Sequence, residues 1–588
     1  MSALLSSQPA QVIARTYSLA LLLSLGPALL PILASARTSK HPLLPRLRRV
    51  LARDLAPDGF AFALSVAVGG GAGLRQLWRL LDRYLYTHDE KEGGLASKLK
   101  SFISFNRLLS PVHKTFISNL FSASVGILLL QAGRRRSRRR APTVDIPWTL
   151  PVGDTAPRGA SPTLDLTLLV FVRALDSIVQ GWVSSCGAAA SDREAVTEEK
   201  KRKSRQRQLT AKIDSVVFWL CSARIMYSFF YYPERLPSSY VKWISSLANI
   251  DSRLLAAVRG IKEGTWSYRT GTSSPDVRAL LTTGATDIGL PPTWGDPHTL
   301  PAFGGSGATK IWRELGVQGR DGVAGLPCEI IHRGVCGSSC TANASLRFAK
   351  VFTQAIAIYI PAHFIPALLT RPRSLLTASK PLTLLLSAAR SSTFLSTFVA
   401  SFYLTVCTFH TFIPRLLPFL FSPGRISHDF VDGPYGVVFI GSFICGGASI
   451  WIEHPKRRGE MALYVIPRAI RAMLSDKWVK KDGVIFRVIE RLIFALSLAT
   501  LLTSAIYRPN ALRGLSKWTL AFITKGTEHG FWKRKRLGQS SSVDPTPINT
   551  PFLRPTTPAS LSRCASQAPL CAPLPLPESD NSAQKQEL

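Results

Sequence analysis

The stretch VFTQAIAIYIPAHFIPALL, residues Val351–Leu369, decides the fold. It contains no Asp, Glu, Lys or Arg. A membrane-crossing helix needs about 20 mostly apolar residues in succession, and this run meets that requirement. Further blocks of similar length lie at Tyr17–Leu33, Gly59–Leu74, Thr115–Ala132, Ser215–Tyr231, Ser392–Phe412, Tyr435–Ile452 and Val484–Tyr507. Thr163–Val183 is a weaker block of the same kind. The expectation is an all-α, polytopic protein with 8–9 transmembrane helices. The first block could also be read as a secretory signal, with Ala34-Ser35-Ala36 as its cleavage site. Pro27 and Pro31 interrupt that run and only Arg15 precedes it, which favours an uncleaved span.

Composition agrees with a membrane protein. Of 588 residues, 46% are hydrophobic and only 18% charged, yet the net charge is +36. Soluble domains average about 25% charged residues, so an ordinary cytosolic enzyme is a poor fit. A disordered chain is excluded too, because disorder combines charge with low hydrophobicity. Nine cysteines are too few, and odd in number, for a disulfide framework.

Basic runs lie between the apolar blocks: Arg134–Arg140, Lys200–Arg205 and Lys533–Arg536. They suit anchoring on the positive side of a bilayer and attraction to anionic lipid. Nucleic acid is not an expected partner, because the aromatics lie inside the apolar blocks instead of among the basic residues. The expected partners are the lipid bilayer, anionic lipid at the basic loops, and other membrane proteins.

Four regions follow from these patterns. Residues 1–262 form an N-terminal membrane half. Residues 263–326 read as a Gly/Pro-rich loop insert. Residues 327–510 carry a Cys-rich segment and a C-terminal membrane half. Residues 511–588 are basic and then Ser/Pro-rich, with no helical period. Pro142–Pro162 is a second Pro/Gly/Thr-rich segment.

The two halves share a pattern. Phe62–Gly73 can be laid over Val438–Ser449 without a gap. Ser65, Gly69 and Gly73 then share a frame with Gly441, Cys445 and Ser449. Small residues every four positions let helices approach closely in lipid, so these six are candidate packing positions and the halves are expected to be related.

Two constellations could carry chemistry. In Cys328–Cys340, the residues Cys328, His332, Cys336 and Cys340 recur every four positions. Three thiols and an imidazole are zinc ligands in a zinc number. On one straight helix they would spiral through about 120°, so they could converge only if Gly334 and Gly337 broke the helix. The expectation is a structural cap packed against the following span, with no cofactor. The second constellation is on Thr163–Val183. There Asp165, Arg173, Asp176 and Gln180 project within roughly an 80° arc of a helix. Intramembrane charge persists when it is paired or faces water. The stripe therefore reads as a pathway for a polar solute, or as an ion pair of Arg173 with Asp176 or Asp165. Gly304–Lys310 lacks the ending of a phosphate loop, and lone histidines such as His363 and His410 read as packing or capping groups. No nucleophile–base arrangement is evident, so no catalytic residue is expected.

Several stretches together resemble the transmembrane protein 135 family in its fungal form. They are Pro327–His332 leading into the Val351 span, the glycine helix ending at Gly446-Gly447, Arg457–Tyr464 and Tyr240–Ile244. That family is distantly similar to glycine-rich mitochondrial translocase subunits and peroxisomal membrane proteins. The resemblance implies a non-enzymatic integral protein of peroxisomes or mitochondria, linked to lipid metabolism or organelle dynamics, and brings no catalytic residues. Its function would be to transport or organise a lipid-related solute. The alternatives are a scaffold recruiting division or import factors through its basic loops, and a metal-dependent membrane enzyme using the Cys-rich segment.

Overall fold

Long apolar runs without charge leave the backbone no partner in lipid except itself, so they form helices. The computed structural model describes residues 8–34, 59–87, 110–140, 163–189, 196–272, 274–370, 379–422, 425–475 and 483–526, with short pieces between 48 and 56 and residue 478. Its architecture is all-α. The long helices are α1 (Gln8–Ala34), α2 (Phe60–Thr87), α3 (Pro111–Arg140), α4 (Leu164–Ala189) and α5 (Val196–Tyr231). Four short helices follow: α6 (Ser238–Ala248), α7 (Ser252–Glu263), α8 (Pro275–Thr286) and α9 (Ser306–Glu314). The single turn α10 (Cys328–His332) leads to α11 (Cys340–Thr370) and α12 (Ser379–Leu416). The turn α13 (His428–Val431) precedes α14 (Val437–Ile450), α15 (Pro455–Met473), α16 (Val484–Tyr507) and α17 (Gly514–Lys525).

Among the described residues, six helical segments are long and apolar enough to cross a membrane. They are Phe60–Leu80, Pro111–Gly133, Leu164–Val183, Ser204–Tyr231, Cys340–Ile365 and Ser379–Leu416. Their outward faces carry Leu128, Ile178, Trp182, Leu220, Ile358 and Leu386, all exposed. An aqueous surface would not tolerate such a belt, whereas a bilayer covers it. Serine and threonine hydroxyls on these helices donate to carbonyls one turn back, as in Ser392 to Ala388, Ser396 to Ser392 and Thr405 to Ser401. That removes their need for water.

Ten long helices touch in one continuous order: α1, α2, α3, α16, α4, α15, α5, α14, α12, α11. Pairing α1 with α11, α2 with α12, α3 with α14, α4 with α15 and α5 with α16 makes this order read alike from both ends. The fifth helix of each set packs inside the other. Close approach at glycine fixes several of these contacts. A Cβ on Gly69 would lie 2.5 Å from Ile13 Cγ1 of α1, and one on Gly126 would lie 2.7 Å from Ala67 Cα of α2. On α14, a Cβ on Gly441 would meet the Phe402 ring at 3.1 Å, and one on Gly446 would meet Ser222 Cβ at 3.0 Å. Ser65, Cys445 and Ser449 are buried, whereas Gly73 faces open space. The overlay of Phe62–Gly73 on Val438–Ser449 matches α2 with α14, but the neighbour order makes α3 the counterpart of α14. Small residues are wanted wherever two helices meet closely, so such a pattern marks contact and does not fix position in the order.

Residues 263–326, expected as a loop, form instead a built cap. Asp251 accepts from the Arg253 N–H at the start of α7, and Gly264 at φ 76° ends it. Trp266, Tyr268, Leu281, Ala285, Trp312 and Leu326 enter the same buried cluster as Phe229 of α5 and Phe402 of α12. The Gly/Pro content that suggested a loop serves its turns, while α8 and α9 supply the apolar faces. Lys200–Arg205 also differs from expectation, since it lies within α5 and not in a loop. Pro142–Pro162, Lys533–Arg536 and the tail from Gly538 lie outside the described residues.

Candidate functional site

Charged residues at the joint between the two sets of helices form a seam. On α4, Asp165 pairs with Arg471 at 2.6 Å, and Arg173 pairs with Glu460 at 3.1 Å, both partners lying on α15. Asp176 accepts from Arg513 Nε at 3.0 Å, and the same guanidinium donates to Asp214 of α5 at 3.0 Å. The expected pairing of Arg173 with Asp176 or Asp165 is not found, because each charge on α4 reaches a neighbouring helix. Gln180 is half-buried, and among the described residues no hydrogen bond joins it to the others. A second polar knot lies on the other side of α4. There Thr163 donates to Glu490 of α16 at 2.5 Å, and Arg491 donates to Gln131 of α3 at 2.8 Å.

The Cys-rich segment is built differently. Pro327 caps α10, which places Cys328 and His332 four apart on one face of a single turn. Arg333 at φ 57° and Gly334 at φ 67° then reverse the chain, and Gly337 at φ 54° turns it again. These left-handed positions carry Cys340 back to the turn that holds Cys328. The ligand atoms of Cys328, His332 and Cys340 lie within 4.8 Å of one another. Cys336 is not in this group; it lies between the two reversals and is partly exposed. Cys407 of α12 takes its place. Its Sγ lies 3.2 Å from His332 Nε2, so it adjoins the group from the side of α12. Buried Arg320 approaches the Cys328 sulfur at 3.8 Å, donates to the carbonyls of Ala324 and Leu326, and lies over the Trp312 ring.

One turn further along α12 is a second buried group that the sequence reading missed. His410 is hydrogen-bonded to Asp432, and His428 Nδ1 lies 3.8 Å from the same carboxylate. The Tyr268 hydroxyl from the cap donates to Asp432 at 2.6 Å. His410, His428 and Asp432 could together hold a metal ion by spacing alone. Gly325, at φ 84°, must lack a side chain because the His428 ring lies against it. Burial pushes the Asp432 carboxyl up, but the adjoining imidazoles pull it further down, to well below the usual carboxylate range. Burial lowers the His428 pKa, and Asp432 does not restore it. Burial and the Asp432 charge hold the Tyr268 phenol well above its ordinary value. No local spacing links residues 268, 410, 428 and 432.

No family model, curated protein or solved structure matches this chain.

An apolar cavity of about 70 Å³ lies beside the second group, lined by Phe230, Leu254, Trp266 and Phe402, with His410 and Asp432 as polar members. The seam involves α4, whose Leu164–Val183 segment is long and apolar enough to cross a membrane.

Proposed function

We propose that this is a non-enzymatic, multi-pass protein of the peroxisomal or mitochondrial membrane that moves or organises a lipid-related solute. The observation that supports this reading is the seam, where Asp165, Arg173 and Asp176 on a span of α4 meet opposite charges on α15 and before α17. Charge at that depth is costly, and it belongs beside a polar route or a paired joint. In this reading α1, α14 and α16 add to the six long apolar helices to give nine spans, the upper end of the expected 8–9. The two sets of five helices are related halves, and the solute meets them where they join, as in other carriers built from repeats. The organelle and the lipid connection come from the family resemblance.

The test is transbilayer movement of a labelled long-chain fatty acid in vesicles holding the purified chain. Wild-type protein should accelerate it over protein-free vesicles, and equal rates would reject the reading. Arg173→Leu combined with Glu460→Leu removes both charges of one pair. That double variant should fold in normal yield and lose the acceleration. Recovery of both yield and movement would leave the pair as scaffolding.

A further inference from the structure

We propose that Cys328, His332, Cys340 and Cys407 form a structural zinc site that fastens the cap to the membrane helices. The ligand atoms of Cys328 and His332 from α10 and of Cys340 at the start of α11 lie within 4.8 Å of one another, and Cys407 Sγ from the middle of α12 lies 3.2 Å from His332 Nε2. Cys328 is 2% exposed, and His332 and Cys407 are fully buried. Structural zinc takes four Cys or His ligands in a closed tetrahedron, and this group supplies that number and type.

The surroundings support the assignment independently of the ligand count. His332 Nδ1 lies 2.8 Å from the Gly337 carbonyl. A carbonyl can only accept, so the proton is on Nδ1 and the Nε2 lone pair faces the sulfurs. Metal-binding histidines are held in this way by an outer hydrogen bond. Zinc binds thiolates, and three thiolates with one Zn²⁺ leave a net charge of −1. Buried Arg320, 3.8 Å from the Cys328 sulfur, supplies the compensating positive charge. Two buried thiols and a half-buried one would gain only weak hydrogen bonds from such crowding without a metal. The site has no place for a reacting water among its four ligands, so it is structural. It ties the chain reversal at Arg333–Gly337 to α12 across a long separation in sequence. The assignment is independent of the solute-transport reading.

The test uses the full chain purified in detergent without chelator, with metal measured by mass spectrometry. About one equivalent of zinc per chain is expected. Cobalt exchanged into the wild-type protein should give thiolate-to-metal charge-transfer absorption and the intense visible bands of a tetrahedral ion. Cys407→Ser should drop to well under half an equivalent, while Cys336→Ser keeps the full amount. Cys407→His restores a ligand and should recover metal even if the serine variant folds poorly. Folded wild-type protein with under about a tenth of an equivalent would overturn the proposal. So would a disulfide between any two of Cys328, Cys340 and Cys407, or metal loss in Cys336→Ser with retention in Cys407→Ser.

Discussion

The seam and the cap solve the burial of polar groups in opposite ways. In the seam, unlike charges from different helices meet, as in Arg173 with Glu460 and Arg513 with Asp176 and Asp214. In the cap, groups of similar chemistry crowd together: thiols beside thiols, and two imidazoles stacked 6.1 Å apart about one carboxylate. Opposite charges meet across the seam, although Arg173 Nη1 is buried there without a hydrogen-bond partner among the described residues. Crowded thiols and imidazoles are ligand-like, and a positive ion would complete them. A polar interior that pairs unlike groups can tune a passage between helices. One that gathers like groups serves to hold a loop in place.

The largest expected effect is in the seam. Arg513→Ala should leave Asp176 and Asp214 without their shared guanidinium and cost about 3–5 kcal/mol, read as unfolding stability in detergent. A loss below about 1 kcal/mol would show that the seam is solvated, which would remove half of the contrast.

In the cap, Asp432→Asn should cost about 1.5–3 kcal/mol, since a charged acceptor of His410 and Tyr268 is replaced by a neutral one. The acidic group here also carries a pH dependence. His428 is faced by Asp432, His410 and Arg320, with the Tyr268 ring at its edge. Its folded pKa is depressed, so the unfolded chain takes up a proton first as pH falls below about 6.5, and stability is lost in that direction. Asp432 is depressed too, so its contribution is present above about pH 4 and lost below it. Thermal unfolding temperature should therefore fall between pH 6.5 and 5, and fall again in stronger acid. His428→Gln should remove the first fall. An unchanged profile in that variant would place the titrating group elsewhere.

A smaller effect is expected from Arg173→Ala. Glu460 is about one-third exposed, so the loss should be about 1 kcal/mol, well below that at Arg513. Equal losses at the two arginines would erase the gradient of burial along the seam. Gly73→Ala, outside both regions, should be neutral or stabilise α2 by up to about 1 kcal/mol, because nothing lies within 4 Å of the new Cβ. Destabilisation there would mean that α2 has a neighbour at this face.

Helices were legible in the sequence because span length and hydropathy are local. Thr163–Val183 matches the apolar segment Leu164–Val183 of α4, which continues to Ala189, and Val351–Leu369 lies within α11. The polar stripe was legible as a stripe, but its partners Glu460, Arg471 and Arg513 are far along the chain, so the pairs within α4 were the wrong ones. The Cys-rich segment was legible for the same local reason, and its glycines did mark the reversal. Cys336 was included because it kept the four-residue period, yet the reversal at Arg333 and Gly334 breaks that period before it is reached. Cys407 lies inside an apolar span, where a cysteine looks like any small hydrophobe. Composition misled most in residues 263–326, because a cap rich in turns and an unstructured loop use the same Gly and Pro.

The exchange of fifth helices has a consequence for biogenesis. α16 packs against α3 and α4, yet it is synthesised after every other long helix of the second set. The N-terminal helices must therefore wait in the membrane, with the polar knot of Thr163 and Gln131 open, until Glu490 and Arg491 arrive. Neither half can close alone. A chain truncated after α12 would leave unfilled the place that α16 takes between α3 and α4.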